Sequence, residues 1–181
     1  MSPLASDSNL KIPSVCLVAA LTFLVGCQNE LVPSKSLPAP LVNDFPYELE
    51  FVKRMRIWGG DNLEVGQDGV IHYLVLQGID SPKPGQDDFG LSRKALVNLI
   101  QRDLMRVVVV GRDDLQREIA QLYLGDTNLN LEMARLGMVW WDGTEFDGSE
   151  TIQQAVATAR KKKIGIWKNP DAIHPSEWEE D

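Results

Sequence analysis

GGDNLEVGQDGVIHYLVLQGIDSPKPG, residues 59–85, holds the pattern that decides the fold. Gly59, Gly60, Asp61 and Asn62 form a turn cluster of the kind that joins two strands. Residues 63–65 begin a strand, residues 67–69 turn, and residues 70–79 return as the second arm of a hairpin. Residues 80–90, DSPKPGQDDFG, then carry the proline and glycine punctuation of a loop. Asp61 thus lies in the turn that opens the hairpin, and Asp80 opens the loop that follows it.

Upstream, residues 48–58 (ELEFVKRMRIW) alternate in part and read as a strand. Downstream, residues 91–102 place Leu91, Ala95, Leu96, Leu99 and Ile100 at helical spacing. Residues 106–110 and 119–124 read as strands on either side of residues 113–117. Residues 129–136 read as a short helix ended by Gly137, residues 138–141 as a short strand, and residues 151–163 as a third helix closed by Gly165. Mixed elements with mainly local antiparallel pairing predict an α+β domain built on a small barrel.

The 181 residues suffice for one domain with a real core, and 44% are hydrophobic. Acids outnumber Lys and Arg by 26 to 18, a net charge of −8. That balance argues against binding long nucleic acid through the overall field, although it leaves room for a local basic cleft. Both cysteines, Cys16 and Cys27, lie near the N-terminus, so the body has no disulfide, thiolate nucleophile or thiolate metal site.

Residues 12–26 (IPSVCLVAALTFLVG) form an apolar run too short to span a bilayer of about 30 Å as a stable helix, but suited to an export signal. Leu24, Val25, Gly26 and Cys27 resemble the lipobox of bacterial lipoproteins, which implies lipidation of Cys27 and a membrane anchor facing the periplasm or exterior. An ordinary secretory signal or an uncleaved anchor is the alternative. Four prolines in residues 28–46 then read as an extended tether. The expected organisation is a signal peptide over 1–27, a tether over 28–47, a domain over 48–170 and an acidic tail over 171–181.

Five segments of the body resemble the staphylococcal nuclease (thermonuclease) family in order and spacing. GGDN at 59–62 sits where that family usually has Asp-Gly-Asp-Thr, and LQGIDSP at 76–82 is similar to its strand end. RDDLQRE at 112–118 resembles its Asp-x-Tyr-Gly-Arg turn. NLNLEMARLGMVW at 128–140 and ARKKKIGIW at 159–167 are similar to its last two helices. The resemblance implies a five-stranded OB-type β-barrel with three helices. It also implies phosphodiester cleavage with one Ca2+ ion held by hard oxygen ligands, a carboxylate base, and two guanidinium groups that stabilise the transition state.

By that resemblance Asp61 and Asp80 match the two metal carboxylates, with the Ser81 carbonyl as third ligand, while Arg117 matches one arginine and Asp113 the acid before it. The second arginine falls at Val75 and the glutamate base at Lys83. Losing a general base costs about 10²- to 10⁴-fold and losing one transition-state donor about 10²- to 10³-fold. The familiar route is therefore expected to be strongly impaired. An ammonium at Lys83 either competes with calcium for the carboxylates or stands in as a cation for phosphate.

Plainer readings stand beside these. Asp61 and Asp80 also fit as turn acids, and Arg117 as a surface partner of Asp113 or Asp114. Of Trp140 and Trp141 one is expected in the core and one exposed; His72 and His174 read as ordinary surface or half-buried residues; residues 160–163 read as a solvated helix face. Asp87 and Asp88 are weak candidates to replace the base. Two functions follow: a tethered domain that binds nucleic acid, a phosphorylated ligand or a protein partner without cutting it, or a rewired calcium-dependent nuclease. Nothing in the residues points to an oligomer.

Overall fold

The structure, a computed structural model, describes residues 37–38, 44–50, 54–100 and 105–179, all within the unit Lys35–Asp181. The signal-like run, Cys27 and most of the proline-rich stretch lie outside the described residues. Among the described residues no helix is long and apolar enough to cross a membrane.

The hairpin forms as its residues dictate. Strand β4 (Asn62–Gln67) pairs antiparallel with β5 (Val70–Leu76) across a two-residue turn at Asp68 and Gly69. Both turn residues have positive φ, 51° and 83°, the geometry for which Asp-Gly is suited. Side chains alternate: Leu63, Val65, His72, Leu74 and Leu76 face inward and are buried, while Glu64 and Tyr73 pair on the outer face.

Strand β3 (Arg54–Ile57) extends the sheet from β4, and β2 (Tyr47–Leu49) pairs instead with β7 (Arg106–Arg112). The single strand expected over 48–58 is thus two strands serving opposite ends of the sheet path, with residues 51–53 outside the described residues. β7 pairs antiparallel with β8 (Glu118–Leu124), with a register shift between Val109 and Gly111 that inserts one extra residue. β8 runs parallel to β5, a pairing that needs a long crossover connection, here supplied by residues 77–117. The order is β2-β7-β8-β5-β4-β3, with two-residue additions at β1 (Leu37–Pro38, on β5) and β9 (Thr127–Asn128, on β8). β1 falls inside the stretch read as a tether.

Among the described residues, five strands of four or more residues with three helices make the α+β, OB-type architecture. Helix α1 (Phe89–Ile100) buries Ser92, Leu96 and Ile100. Leu91, expected on the buried face, is exposed. Its place is taken by Ser92, whose hydroxyl donates to the Met138 carbonyl at 2.7 Å, because the Gly60 backbone comes too near for anything larger. Helix α2 (Leu129–Arg135) is capped by Asn128 and closes at Gly137, φ 67°. There the Met138 and Gly137 amides reach back to the carbonyls of Met133 and Ala134, a Schellman arrangement. Helix α3 (Ser149–Lys161) buries Ile152, Val156 and Ala159 along one stripe.

Beyond α3 the chain stays packed. A 3-10 turn (Gly165–Lys168) buries Ile166 and Trp167, and another (Pro175–Glu177) buries Pro175. His174 lies edge-on to Trp140, 5.7 Å between ring centres. The first nine residues of the expected acidic tail therefore belong to the folded body.

Candidate phosphate site

Two carboxylates anchor the site. Asp61 stands in the turn that enters β4, fixed by the Leu76 amide donating to its carbonyl at 2.7 Å. Asp80 ends β6 (Ile79–Asp80), which pairs antiparallel with β10 (Trp140–Trp141) so that Asp80 faces Trp140. Of that tryptophan pair Trp140 is buried as expected, while Trp141, expected to be exposed, is half-buried against the core.

Ser81, next to Asp80 in the chain, holds the Asp61 carboxylate. Its amide donates to Asp61 Oδ2 at 3.1 Å and its hydroxyl to Oδ1 at 2.9 Å, while Asn62 Nδ2 donates to Oδ1 at 2.9 Å. The Gly60 amide in turn donates to the Ser81 hydroxyl oxygen at 3.1 Å. Asp61 is only 4% exposed, and burial pushes its carboxyl above the ordinary range, opposed by Lys83 and by the Ser81 hydrogen bonds.

Lys83 reaches back into this arrangement. Its Nζ lies 2.6 Å from Asp80 Oδ1 and 3.7 Å from Asp61 Oδ2. Asp61, Asp80 and Ser81, the three sequence-predicted metal ligands, are thus brought together, with an ammonium directed at both carboxylates. Asp61 already accepts from Ser81 and Asn62, and among the described residues no three His, Cys, Asp or Glu side chains converge on a common point. As arranged, these residues do not fit a calcium ion, which takes six to eight oxygens.

Arg117 is spent on its own turn. Its Nε donates to Asp113 Oδ2 at 2.6 Å and its amide to Asp113 Oδ1 at 2.8 Å, with the side chain 45% exposed. It immediately precedes the Leu74–Glu118 pair of β5 and β8, on the outer face that Val75 and Ile119 share. Val75 lies between Asn62 of β4 and Ile119 of β8, so an arginine there would have projected from the face that carries Arg117. Asp87 and Asp88 line a small cavity with Gln86, Trp140, Ile173 and Trp178. Residues 160–163 are exposed, and Arg160 lies over the Trp167 ring.

A second polar cluster was missed by sequence reasoning. Glu118 is buried and accepts from the Tyr47 hydroxyl at 2.5 Å and from Arg112 Nη2 at 3.0 Å, and it lies 2.8 Å from His72 Nδ1. Burial alone would push the Glu118 carboxyl up, but His72, Tyr47 and Arg112 outweigh it and hold it below the ordinary range. Desolvation and the Glu118 charge raise the Tyr47 phenol well above its ordinary value. His72 is therefore a buried member of a network rather than a surface residue; the alternation that places it inward with Leu74 and Leu76 was the available signal.

Comparison with known proteins agrees with this architecture. Residues 73–169 match the family described as staphylococcal nuclease homologues. A Haemophilus influenzae protein named an uncharacterized endonuclease is 34% identical over 125 residues, 68% of this chain and 70% of that protein. A Shigella flexneri protein named micrococcal nuclease is 28% identical over 136 residues, covering 68% of this chain and 77% of its own length. An Escherichia coli O157:H7 protein, also named an uncharacterized endonuclease, is 27% identical over 125 residues, 81% of its length. The matched span contains Asp80, Lys83, Arg117 and the three helices, and the chain belongs to the staphylococcal nuclease homologue family.

Proposed function

We propose that this domain binds the phosphodiester backbone of a nucleic acid at the cell envelope and cuts it poorly or not at all. One observation carries the reading: Lys83, at the position of the family's base, is docked on Asp80, and Val75 fills the position of its second arginine. With Asp80 held by Lys83 and Asp61 held by Ser81 and Asn62, no carboxylate stands at the base position to take a proton from attacking water. With one guanidinium in place of two, half the guanidinium charge that would face the transition state is gone. Residues acting on one transition state seldom multiply cleanly, but the combined loss is on the order of 10⁴- to 10⁷-fold. Cys27, lipidated, would hold the domain at a membrane.

The second reading, a rewired calcium-dependent phosphodiesterase, is favoured by the retained Asp61, Asp80 and Arg117 and by relatives named endonucleases. A cleavage assay on single-stranded DNA, run with the full chain in millimolar calcium and in chelator, separates the two. Retention of the DNA in a gel shift with no calcium-dependent cleavage supports binding. Rapid cleavage that Arg117→Ala abolishes refutes it.

A further inference from the structure

We propose that Lys83 is the resident cation of this site: its ammonium takes the place of a divalent ion between Asp61 and Asp80, and the domain grips a nucleic-acid phosphate without metal. The inference rests on the reading of the domain as a binder of phosphodiesters.

Geometry comes first. The ammonium is in hydrogen-bond contact with Asp80 Oδ1 at 2.6 Å and within Coulombic reach of Asp61 Oδ2 at 3.7 Å, so it bridges the acids a metal ion would have to bridge. Asp61 Oδ1 and Oδ2 are turned toward Ser81 and Asn62, which together supply three hydrogen bonds. A calcium ion entering here would have to expel the ammonium and draw on oxygens already committed to the protein.

Charge points the same way. Exchanging the family's glutamate for a lysine adds two positive charges at one position, the charge of a single calcium ion. The substitution that removes the base therefore also supplies the cation that the two aspartates need. Asp61, almost fully buried, is the group that most requires it, since an ionised carboxylate out of water must be paired.

The lysine is also braced. Its amide donates to Gln86 Oε1 at 2.9 Å, and Gln86 Nε2 donates to the Ile173 carbonyl at 2.6 Å, so the C-terminal segment supports the loop that aims it. Its side chain remains 42% exposed. An ammonium has three donors; Asp80 takes one, and those left over are open to a phosphate oxygen arriving from solvent.

The test titrates calcium chloride into the full-length chain by calorimetry, records melting curves in parallel, and follows a fluorescein-labelled oligothymidylate by anisotropy in chelator and in millimolar calcium. The unmutated chain is expected to show no calcium heat, an unchanged melting temperature, and oligonucleotide affinities equal within about twofold in the two buffers. Lys83→Glu removes the ammonium and restores an acid; it is expected to bind calcium and to melt at a higher temperature when calcium is present, because a ligand that binds only the native state raises its stability. Lys83→Met, which keeps the aliphatic stem, is expected to lose about tenfold in oligonucleotide affinity in chelator, the scale of one charged hydrogen bond. Calcium-dependent stabilisation of the unmutated chain that Asp80→Ala removes would overturn the proposal and leave phosphodiester binding standing. Unchanged oligonucleotide affinity in Lys83→Met would overturn it as well. No oligonucleotide binding by the folded, unmutated chain in either buffer refutes the binding function itself, and the calcium titration still decides what occupies the space between the aspartates.

Discussion

Two side chains separate this chain from the chemistry its family resemblance implies. By the proposed reading, Val75 presents a branched alkyl group where the family has a guanidinium, and Lys83 pairs with Asp80 instead of activating water. Val75→Arg with Lys83→Glu is expected to give calcium-dependent cleavage of single-stranded DNA at least about 100-fold above the unmutated chain, and each change alone much less, since both groups serve one transition state. A single-turnover cleavage assay reads this directly. No gain in a folded double variant that binds calcium would mean that the rest of the cleft, Arg117 included, is set up differently. Asp113 already holds Arg117 through two hydrogen bonds, and a productive complex would require that side chain to turn from its own turn toward the phosphate.

Between elements, the buried polar residues do the joining. Glu118 on β8 gathers Tyr47 of β2, His72 of β5 and Arg112 of β7, so one carboxylate ties β2 to the sheet. Asn130 does the same for α2, accepting from the Leu122 amide and donating to the carbonyls of Gln77 and Ala120 where β5 and β8 part. Because the folded state holds the Glu118 carboxyl below its ordinary value of 4.5, its contribution is present above that pH. It is lost as pH falls through the depressed folded value. Melting temperature is expected to drop in that acid window for the unmutated chain. In Glu118→Gln that part of the acid dependence should disappear, with a loss at pH 7 of roughly 2 kcal/mol or more, since a buried charge network loses its centre. Chemical denaturation across pH 3 to 7 checks both, and an unchanged acid profile in the variant would remove Glu118 from the account.

At the scale of the molecule, an acidic chain holds one ammonium against two aspartates, and by the proposed reading Cys27 at the other end of the sequence sets where the domain sits in the cell. Cys27→Ser is expected to release the protein from membrane fractions or leave the precursor unprocessed, because the hydrophobic force of the acyl chains is what holds a lipoprotein to its bilayer. Mass spectrometry of the mature N-terminus tests this, and an unmodified terminus elsewhere would end the lipoprotein reading. The convergence of Asp61 and Asp80 was implied by the family resemblance, whereas the hairpin and the three helices could be read from residue order, because periodicity and turn chemistry are local properties of the chain. The division of residues 48–58 into strands at opposite ends of the sheet, the burial of Ser92 in place of Leu91 and the packing of residues 171–179 could not. Each depends on which backbone passes nearby. The same holds at the site: the chain places Lys83 three residues after Asp80 and Arg112 six before Glu118, but only three-dimensional packing brought the Lys83 ammonium to Asp61 and drew His72 and Tyr47 to Glu118, since contacts between residues far apart in the chain are set by how strands and loops stack and not by their neighbours.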